Sequence, residues 1–505
     1  MWILATIVLI VTYALYKYVK FYKYWDEKGV PNDKPFFFLG NLALNVFRIK
    51  TMQQIIIDSY KKFSKHRYIG FYSFNDEVLI VKDLELIKQI MVKDFDVFPD
   101  HKTFIPPNTD PLWEKNLFQL KAEDGWHDMR TTLSPSFTSN KLKTMFVLMQ
   151  DCSKRFVENF KSQNTTVSLN VKDAFTKFAN DIIGTAAFGI TCDSIKNPTN
   201  EFYVMGKEAT DFSGLKAFRF FGYAISPTIM KLFGVPIFNS RVRNFFNRII
   251  KETVDYRKEK NIVRPDMINL MLQAQKAQEN HESKKSIDLT YESMTAQALI
   301  FFTAGFETIS TAMTYLMYDL AVNRDVQEKL YSEINEALPG GQEASYEVLS
   351  AMKYLDCVVS ESLRFHTPIP FLDRKAVKPY TIEPVMPWEK PLHLEKGSLI
   401  WVPVEALQHD EAYFPNPEKF DPERFNSENK AEINPFTYLP FGSGPRICIG
   451  SRFALLEIKM LFVDLLQHFE IVTNEKTQIP LKPSKANFNL IPNEGIWVSF
   501  KPRKL

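Results

Sequence analysis

The hydrophobic pattern of the first 25 residues predicts a membrane anchor. Residues 1–16 carry no charge and are mostly aliphatic or aromatic, and three lysines, Lys17, Lys20 and Lys23, follow them. The run is shorter than the ~20 residues that span a bilayer, but lysine side chains can snorkel and extend its usable length. Lysines on the carboxyl side of the run place that side in the cytosol. A cleaved signal peptide and a buried core helix are the alternatives.

A change of pattern separates this anchor from the body of the chain. Pro31 and Pro35 break any helix in this region and favour a stiff connection. We therefore expect a membrane anchor with its basic flank at 1–25, a proline-containing hinge at 26–40 and one large domain at 41–505. No linker rich in glycine, serine or proline divides this last segment.

The periodicity of the large domain predicts a mainly α fold with a smaller β-rich region. Residues 52–63 show helical spacing, whereas 69–74 and 77–82 alternate like the two strands of a hairpin around Asn75-Asp76. Further along the chain, apolar residues recur mostly at intervals of three and four. That spacing is typical of amphipathic helices that pack around a common core.

The longest helical pattern begins after Thr290, a residue type that suits an N-cap. Near its middle, Ala304 and Thr308 lie four residues apart on one face, and the small alanine leaves room beside the hydroxyl. Thr308 can turn its hydroxyl onto the backbone, and Gly305, which costs about 1 kcal/mol relative to alanine, tolerates the distortion. This predicts a small polar groove in an apolar wall, with Glu307 leading outward. Ordinary helix packing is the alternative.

A loop near the carboxyl end carries the strongest chemical signal. Cys448 lies in the run Pro-Phe-Gly-Ser-Gly-Pro-Arg-Ile-Cys-Ile-Gly at 440–450, and the pattern at 453–469 predicts a helix directly after it. The sulfur is therefore expected near a helix N-terminus, where exposed N–H groups favour a thiolate. A buried, inert cysteine in a turn is the alternative. The glycines and aromatic residue fixed around the sulfur instead indicate a ligand for a soft or redox-active metal.

Charge and cysteine content narrow the classes of function. The chain has 62 basic and 59 acidic residues, and a formal net charge of +3 argues against a nucleic-acid-binding surface. Its cysteines, at 152, 192, 357 and 448, are too few and too scattered for a disulfide framework or a zinc cluster. No Gly-x-Gly-x-x-Gly motif follows a predicted strand, so bound nicotinamide or flavin is not expected.

The cysteine run resembles the haem-thiolate loop of the cytochrome P450 monooxygenases. The resemblance implies that haem b binds with Cys448 as the axial ligand of its iron, in a loop that includes Phe441. It implies that Ala304 lies against the haem and that Thr308 and Glu307 are catalytic residues that deliver protons. One atom of O2 would enter a lipophilic substrate, and the other would leave as water.

The resemblance also implies partners and a location. Electrons derived from NADPH would arrive from a separate flavoprotein, an NADPH–cytochrome P450 reductase, and cytochrome b5 is a second candidate donor. The reductase is expected on a basic face beneath the Cys448 loop. The anchor and the family together favour the endoplasmic reticulum membrane, with the catalytic domain on the cytosolic face. No nucleic-acid partner is expected.

Three further residues match the family's structural Glu-Arg-Arg triad. Glu361 and Arg364 lie three residues apart in the helical pattern at 354–365, so they can pair on one face. Arg424 follows a turn that Pro422 fixes. The resemblance implies that the triad secures the thiolate side of the fold, and we assign it no catalytic role.

Four positions match those through which the family binds the haem propionates, namely Trp126, Arg130, Arg374 and Arg446. An arginine suits this role because its planar fork binds both oxygens of a carboxylate. The chain departs from the family before the first substrate loop, where Asp-His-Lys at 100–102 replaces a usual arginine. His101 or Lys102 is the expected substitute.

Segments 110–112, 133–138 and 409–417 resemble insect microsomal enzymes of the xenobiotic-metabolising branch. The resemblance implies an apolar, aromatic substrate pocket. Its expected lining residues are Phe104, Phe301, Ala304, Ile369 and Phe488. Such a set suits flat or lipophilic molecules such as plant toxins or insecticides, and hormone synthesis is the alternative role.

Two other functions of a haem-thiolate protein compete with monooxygenation. An isomerase or dehydratase that consumes peroxides without a reductase usually lacks the acid–alcohol pair that Glu307 and Thr308 form here. A non-catalytic haem sensor or carrier has no use for a proton-delivery element. NADPH consumption that depends on a reductase distinguishes the three.

Overall fold

The computed structural model describes residues 2–37, 39–103, 105–211, 214–264, 266–280, 287–485 and 491–503. The chain divides into two compact units. The first unit comprises Met1–Lys102, Pro370–Leu407 and Ser443–Pro445. The second unit comprises Thr103–Ile369, Gln408–Gly442 and Arg446–Leu505.

The described residues form twenty α-helices and nine β-strands, so the predicted mainly α fold with a smaller β-rich region is confirmed. The helices are α1 (Trp2–Tyr22), α2 (Tyr24–Glu27), α3 (Ala43–Val46), α4 (Met52–Lys62), α5 (Leu84–Lys88), α6 (Pro111–Glu114), α7 (Trp126–Leu133), α8 (Ser139–Lys161), α9 (Val171–Ile183), α10 (Glu201–Thr210), α11 (Gly214–Ile225), α12 (Pro227–Leu232), α13 (Ser240–Lys260), α14 (Met267–Glu279), α15 (Tyr291–Val322), α16 (Arg324–Ala337), α17 (Tyr346–Ala351), α18 (Lys353–Phe365), α19 (Val404–Gln408) and α20 (Ser451–His468). The strands are β1 (Tyr68–Ser73), β2 (Asp76–Val81), β3 (Val167–Asn170), β4 (Leu372–Lys375), β5 (Tyr380–Ile382), β6 (Leu392–Leu394), β7 (Leu399–Val402), β8 (Phe469–Val472) and β9 (Trp497–Pro502). Short 3₁₀ segments lie at Ser134–Phe137, Pro422–Phe425 and Asn429–Glu432, and π-helical segments at Gln89–Lys93 and Gly184–Phe188.

The first unit contains a four-stranded sheet with the strand order β1-β2-β7-β4. β1 and β2 form the predicted hairpin, in which Tyr68 pairs with Val81. β7 runs parallel to β2 and antiparallel to β4, and every residue of β7 is buried. This register places Arg374 of β4 opposite Ile400, so the backbone of this predicted site residue is fixed by the sheet.

The core of the second unit forms around α15, which packs along α9 and also contacts α18 and α20. Thr290 is its N-cap, as predicted, because the side-chain oxygen accepts a hydrogen bond from the Ser293 amide at 3.3 Å. α15 is buried over most of its length, since its sequence is apolar on nearly all sides. The helix therefore carries the Ala304–Thr308 turn into the interior of this unit.

Gly305 lies at the contact between α9 and α15. A β-carbon at this position would lie 2.9 Å from Cδ1 of Ile183, which is closer than packed side chains allow. Close packing of the two helices therefore gives one reason for the glycine. The tolerance for backbone distortion that the sequence suggested stays a prediction.

The amino-terminal segment forms α1, a helix of 21 residues. Among its described side chains, Leu9, Tyr13 and Tyr16 are more than half exposed. Of the described residues, a single helix, α15, is long and apolar enough to cross a membrane, and most of it is buried inside the protein. α15 is a core helix of the second unit, and the membrane anchor at 1–25 stays a prediction.

Candidate active site

The loop before α20 closes around Cys448. The Cys448 amide donates a hydrogen bond to the Phe441 carbonyl at 2.9 Å, which joins the two ends of the loop. Gly444 has a φ of +72°, and any β-carbon there would collide with the Met91 carbonyl oxygen. α20 begins at Ser451, two residues earlier than predicted. The side chain of Cys448 is exposed, so it is available to a ligand.

The charge of Cys448 depends on three features of its surroundings. Nearby protein atoms raise the pKa of the thiol by desolvation, although water still reaches the side chain. The Gly450 amide and the Arg130 guanidinium lower the pKa, but their effect is smaller. Desolvation therefore acts against the effect of the helix N-terminus on the charge of the sulfur. A metal cation at the sulfur would reverse this balance, because a coordinating thiol loses its proton.

Trp126, Arg130 and Arg446 meet beside the cysteine loop. Arg130 Nη2 donates to the Ile447 carbonyl at 2.8 Å, and the Arg446 guanidinium lies 4.0 Å from the centre of the Trp126 ring. Arg446 also donates to backbone carbonyls in the segment 117–120. The Arg130 guanidinium therefore lies near the sulfur, whereas Arg446 is held by Trp126 and by the segment 117–120, and the binding of both to propionates stays a prediction.

Arg374 belongs to the first unit and is almost fully buried, with 2% of its surface exposed. Within the described part of the chain, its Nε atom has no hydrogen-bond partner. Burial lowers the pKa of Arg374 to about 10, although the neighbouring Asp373 acts in the opposite direction. A buried N–H without an acceptor is rare in proteins, so the site fits an anionic group such as a carboxylate.

Asp373 holds the segment that replaces the usual arginine. His101 Nδ1 lies 2.8 Å from one Asp373 oxygen, and the Lys102 amide donates to the other at 2.7 Å. Burial opposes ionisation of Asp373, but His101, the Lys102 amide and Arg374 together lower its pKa to about 2. The Lys102 ammonium pairs with Asp76. His101 and Lys102, the expected substitutes for the family's arginine, therefore both have carboxylate partners within the first unit.

The middle turn of α15 contains the hydrogen bond that the sequence predicts. Thr308 Oγ1 donates to the Ala304 carbonyl at 2.6 Å, so the hydroxyl occupies a backbone oxygen of the helix. Ala304 is exposed, whereas Phe302 and Phe306 are buried. This turn therefore presents a small side chain to open space in a helix that is otherwise largely enclosed.

One aromatic ring connects this part of α15 with α20, the helix that follows Cys448. Phe137 stacks on Phe301 of α15 with ring centres 5.6 Å apart. It also meets Phe453 of α20 edge to face, at 6.4 Å. Sequence reasoning missed Phe137, because its 3₁₀ segment is far along the chain from both partners and gives no periodic signal.

The predicted substrate-pocket residues are only partly described. Phe301 is partly exposed and Ala304 is exposed, and both lie on the same stretch of α15. Ile369 is 38% exposed. Phe104 and Phe488 lie outside the described residues. The lining of a substrate pocket by these five side chains stays a prediction.

Glu361 and Arg364 form a fully buried ion pair on α18. Arg364 Nε and Nη2 donate to the two Glu361 oxygens at 2.7 and 2.9 Å, and neither side chain is exposed. Arg424 Nε lies 3.5 Å from Glu361 Oε1, and the Asp421 amide donates a hydrogen bond to the same Glu361 oxygen at 2.8 Å. Burial raises the pKa of Glu361, and these donors offset part of the rise. The three predicted triad residues are therefore neighbours.

Gln408 connects this ion pair with the loop that leads to the cysteine. Its backbone carbonyl accepts from Arg364 Nη1 at 2.8 Å, and its side-chain amide donates to the Leu363 and Arg364 carbonyls. Its Oε1 accepts from the Leu439 amide at 3.1 Å. Sequence reasoning missed Gln408, because a single glutamine at the end of the short helix α19 has no pattern that reveals burial.

Lys172 is a second polar residue that sequence reasoning missed. Its Nζ atom lies 2.9 Å from Glu307 Oε1 and donates to the hydroxyls of Ser310 and Thr311 at 2.7 and 2.9 Å. Burial lowers the pKa of Lys172, whereas Glu307 raises it. The lysine lies 135 positions before Glu307, so only the packing of α9 on α15 shows the pair.

The donor set fits a haem group. The exposed Cys448 offers one sulfur ligand for iron, Arg130 contacts the neighbouring Ile447 carbonyl, and Arg446 lies two residues before the sulfur in the chain. Separately, Arg374 has a buried N–H that lacks an acceptor. Iron and two carboxylate side groups are the chemical features of haem that such residues bind.

Comparisons with known proteins agree with this chemistry. A family model described as Cytochrome P450 matches residues 30–498. Cytochrome P450 9e2 of Blattella germanica is 43% identical over 505 aligned residues, which cover 95% of this chain and 94% of the relative. In Drosophila melanogaster, probable cytochrome P450 6a13 is 38% identical with 98% of each chain covered, and probable cytochrome P450 9f2 is 37% identical with 95% covered. The chain therefore belongs to the cytochrome P450 family, whose members are haem-thiolate monooxygenases that use electrons derived from NADPH.

Proposed function

We propose that this protein oxidises lipophilic foreign compounds, such as plant toxins or insecticides, by inserting one oxygen atom from O2. The Ala304–Thr308 turn carries the proposal, because it offers a small side chain and a hydroxyl in an otherwise enclosed helix. Phe137 connects the same helix with the one that follows Cys448. An apolar wall with one hydroxyl suits a reaction that must exclude bulk water while it admits protons.

Cys448 is the proposed axial ligand of the haem iron. The other residues proposed to hold the haem are Trp126, Arg130, Ala304, Arg374, Phe441 and Arg446. When bound, haem would supply the chemistry that activates O2, and the Cys448 thiolate would add electron density to its iron. The protein residues fix the orientation of the group and balance the charge of its carboxylates.

Thr308 and Glu307 are the proposed proton-handling residues. The Thr308 hydroxyl donates to the Ala304 carbonyl, and rotation about one side-chain bond turns it toward the open side of the helix. Glu307 is 30% exposed, so its carboxylate can take a proton from water and pass it inward. The two neighbouring residues thus form an acid and an alcohol at successive positions of one path.

We propose that α1 anchors the chain in the endoplasmic reticulum membrane and that residues 26–40 form a hinge to a cytosolic domain at 41–505. α1 has 21 residues, a length close to the ~20 that cross a bilayer, and the lysines near its end, with Lys20 in the last turn, can snorkel to the membrane surface. NADPH–cytochrome P450 reductase is the proposed electron donor, and cytochrome b5 is a second one.

Replacement of the proposed iron ligand tests the chemistry. Cys448→Ala should abolish the haem-thiolate signature in the reduced carbon-monoxide spectrum and all reductase-dependent oxidation, because no other sulfur takes its place. Cys192→Ala, at a buried core position, is the matched control and should retain both signals. Product is measured with purified reductase, NADPH and a panel of lipophilic substrates that includes steroids.

Three outcomes contradict the proposal in whole or in part. Turnover that persists in Cys448→Ala removes the ligand assignment. Conversion of an organic peroxide by the wild-type protein without reductase, and without NADPH-supported oxidation of any substrate, favours an isomerase or dehydratase. Selective oxidation of steroids in the panel replaces the detoxifying role with a hormonal one.

A further inference from the structure

The environment of Lys172 is unusual for a lysine. The side chain is 16% exposed, and its ammonium group contacts Glu307 Oε1, the hydroxyls of Ser310 and Thr311 and, at 3.3 Å, the Glu307 carbonyl. A lysine ammonium has three N–H donors, so all of them are directed at this one turn of α15. A surface lysine that merely solvates a helix does not have such a set of partners.

Three effects oppose a cation at this position. Burial removes water from the ammonium group. Lys172 also lies in the first turn of α9, where the helix dipole repels positive charge. The long side chain loses rotamer freedom when it is fixed in one geometry. The cation is therefore retained by what it contacts, and the contact with opposite charge is Glu307.

A second lysine on α9 provides an internal contrast. Lys177 pairs with Asp173 one turn away at 2.7 Å, and the aspartate side chain is 49% exposed. Such a pair within one helix contributes little to stability because water screens it. Lys172 instead crosses to another helix and contacts the residue that precedes Thr308.

We propose that Lys172 is a positioning residue for proton delivery, which holds the Glu307 carboxylate and the adjoining turn of α15 in the arrangement that feeds Thr308. The proposal rests on the proposed function and deepens it. Lys172 fixes the acid at one end of this turn, and the Thr308 hydroxyl lies on the Ala304 carbonyl at the other. The Glu307 carboxylate and the Thr308 hydroxyl thereby keep fixed positions relative to each other.

The proton balance requires no further reactant. Glu307 takes a proton from water, releases it toward Thr308 and returns to a carboxylate that pairs again with the ammonium. Lys172 keeps its charge throughout, so its task is to orient the acid between successive protons. Its loss should slow proton supply and leave substrate binding unchanged.

The experiment uses the full-length, haem-loaded protein with reductase and NADPH. Lys172→Met removes the charge with little change in length, Lys172→Arg keeps a cation, and Lys177→Met is the matched control on the same helix. We expect Lys172→Met to lower the share of NADPH electrons recovered in product about tenfold, with the balance released as hydrogen peroxide. KM and the reduced carbon-monoxide spectrum should stay at wild-type values.

We expect Lys172→Arg to recover part of the lost electron yield in product, and we expect Lys177→Met to have the wild-type yield. Coupling here means the share of NADPH electrons recovered in product. Full coupling in Lys172→Met overturns the proposal. Lys172→Arg that is as uncoupled as Lys172→Met overturns it as well, because a cation in place then fails to orient Glu307. A wild-type protein without reductase-dependent turnover refutes the proposed function itself, so the two failures are distinguishable.

A stability cycle tests the ion pair without reference to turnover. Lys172→Met and Glu307→Gln should each lower Tm by about 2 °C, and the double variant should lose less than the sum, since neither partner is then left alone. Strictly additive losses overturn the proposal, because they show that the two charges do not interact in solution. If Lys172→Met does not fold, Lys172→Gln replaces it in the cycle and in the turnover assay.

Discussion

Two glutamate–cation pairs in the second unit differ in one physical respect. Glu361 and Arg364 are both fully buried, and the carboxylate has a bidentate arginine partner. Glu307 and Lys172 are partly exposed, at 30% and 16%, and the ammonium group contacts the carboxylate through Oε1 at 2.9 Å. The first pair therefore has one available geometry, whereas the second can open and close at small cost.

The difference between the two pairs lies in their access to water. A buried bidentate pair is strongly destabilising to break, so it fixes α18 and, through Gln408, the loop that leads to the cysteine. The partly exposed pair of Glu307 and Lys172 has access to water, which suits the proton relay that we propose for it.

A third glutamate marks the limit of this comparison. Glu457 on α20 is fully buried, and no described residue donates a hydrogen bond to either of its carboxylate oxygens. Burial raises its pKa well above the ordinary value. Without a cation, this side chain is expected to remain a neutral acid in the folded protein, unlike Glu361 and Glu307.

The largest expected effect comes from breaking the bidentate pair. Arg364→Leu leaves Glu361 buried without its principal cation and should cost about 3–5 kcal/mol of unfolding free energy. Urea unfolding of the full-length protein measures the loss, and haem content after purification should fall with it.

Glu423→Gln is the control for this variant, because it breaks an exposed pair with Lys329. It should cost about 0.5 kcal/mol at most. If Arg364→Leu unfolds at the wild-type urea concentration, burial of the pair has no structural value and the comparison fails.

The next largest effect is a pH-dependent gain in the unfolding free energy of Glu457→Met. A folded-state pKa above the unfolded-state value of 4.5 means that wild-type stability is full at low pH and declines as the pH rises. The decline is about 1.4 kcal/mol per pH unit while the folded group stays protonated. The unfolding free energy of Glu457→Met, measured in urea, should therefore exceed that of wild type by a margin that grows as the pH rises above 4.5.

Glu432→Met, at an exposed position, removes the same formal charge and serves as the control. It should follow the wild-type pH profile. Parallel profiles for wild type and Glu457→Met would mean that Glu457 is ionised in the fold and has a partner.

The smallest free-energy change is expected in Thr308→Ala. The variant should bind haem normally but recover about tenfold fewer electrons in product, a loss equivalent to about 1.4 kcal/mol of barrier. The measurements are NADPH consumption, product and hydrogen peroxide in the same reaction.

Thr314→Ala is a close control on the same helix, because its hydroxyl donates to the Ser310 carbonyl at 2.6 Å in the same manner. The share of NADPH electrons recovered in product should be unchanged in Thr314→Ala. Tight coupling in Thr308→Ala would remove this hydroxyl from proton delivery and leave it a purely helical role.

Much of the framework could be predicted from local patterns. Alternation over 69–74 and 77–82 predicts the hairpin of β1 and β2, and Thr290 predicts the start of α15. The spacing of Glu361 and Arg364 predicts their pairing. These features depend on residues a few positions apart, so the sequence contains the geometry.

Contacts between distant segments could not be predicted in this way. Lys172 looks like an ordinary first-turn lysine, and Gln408 like a solvated glutamine, until α9 and α18 are packed. Arg446 is expected at a carboxylate but also donates to backbone carbonyls in 117–120. Its partners come from a segment without periodicity, so no pattern could reveal them.

The ring of Phe137 has a practical consequence for anyone who alters substrate choice. Its faces and edges are shared between Phe301 on α15 and Phe453 on α20. A smaller side chain at Phe301 would remove one contact of this ring, and the same ring packs against α20, which follows the proposed iron ligand Cys448. We therefore expect variants at Phe301 to disturb the surroundings of both helices, and a variant library at this position should be screened for haem content as well as for substrate choice.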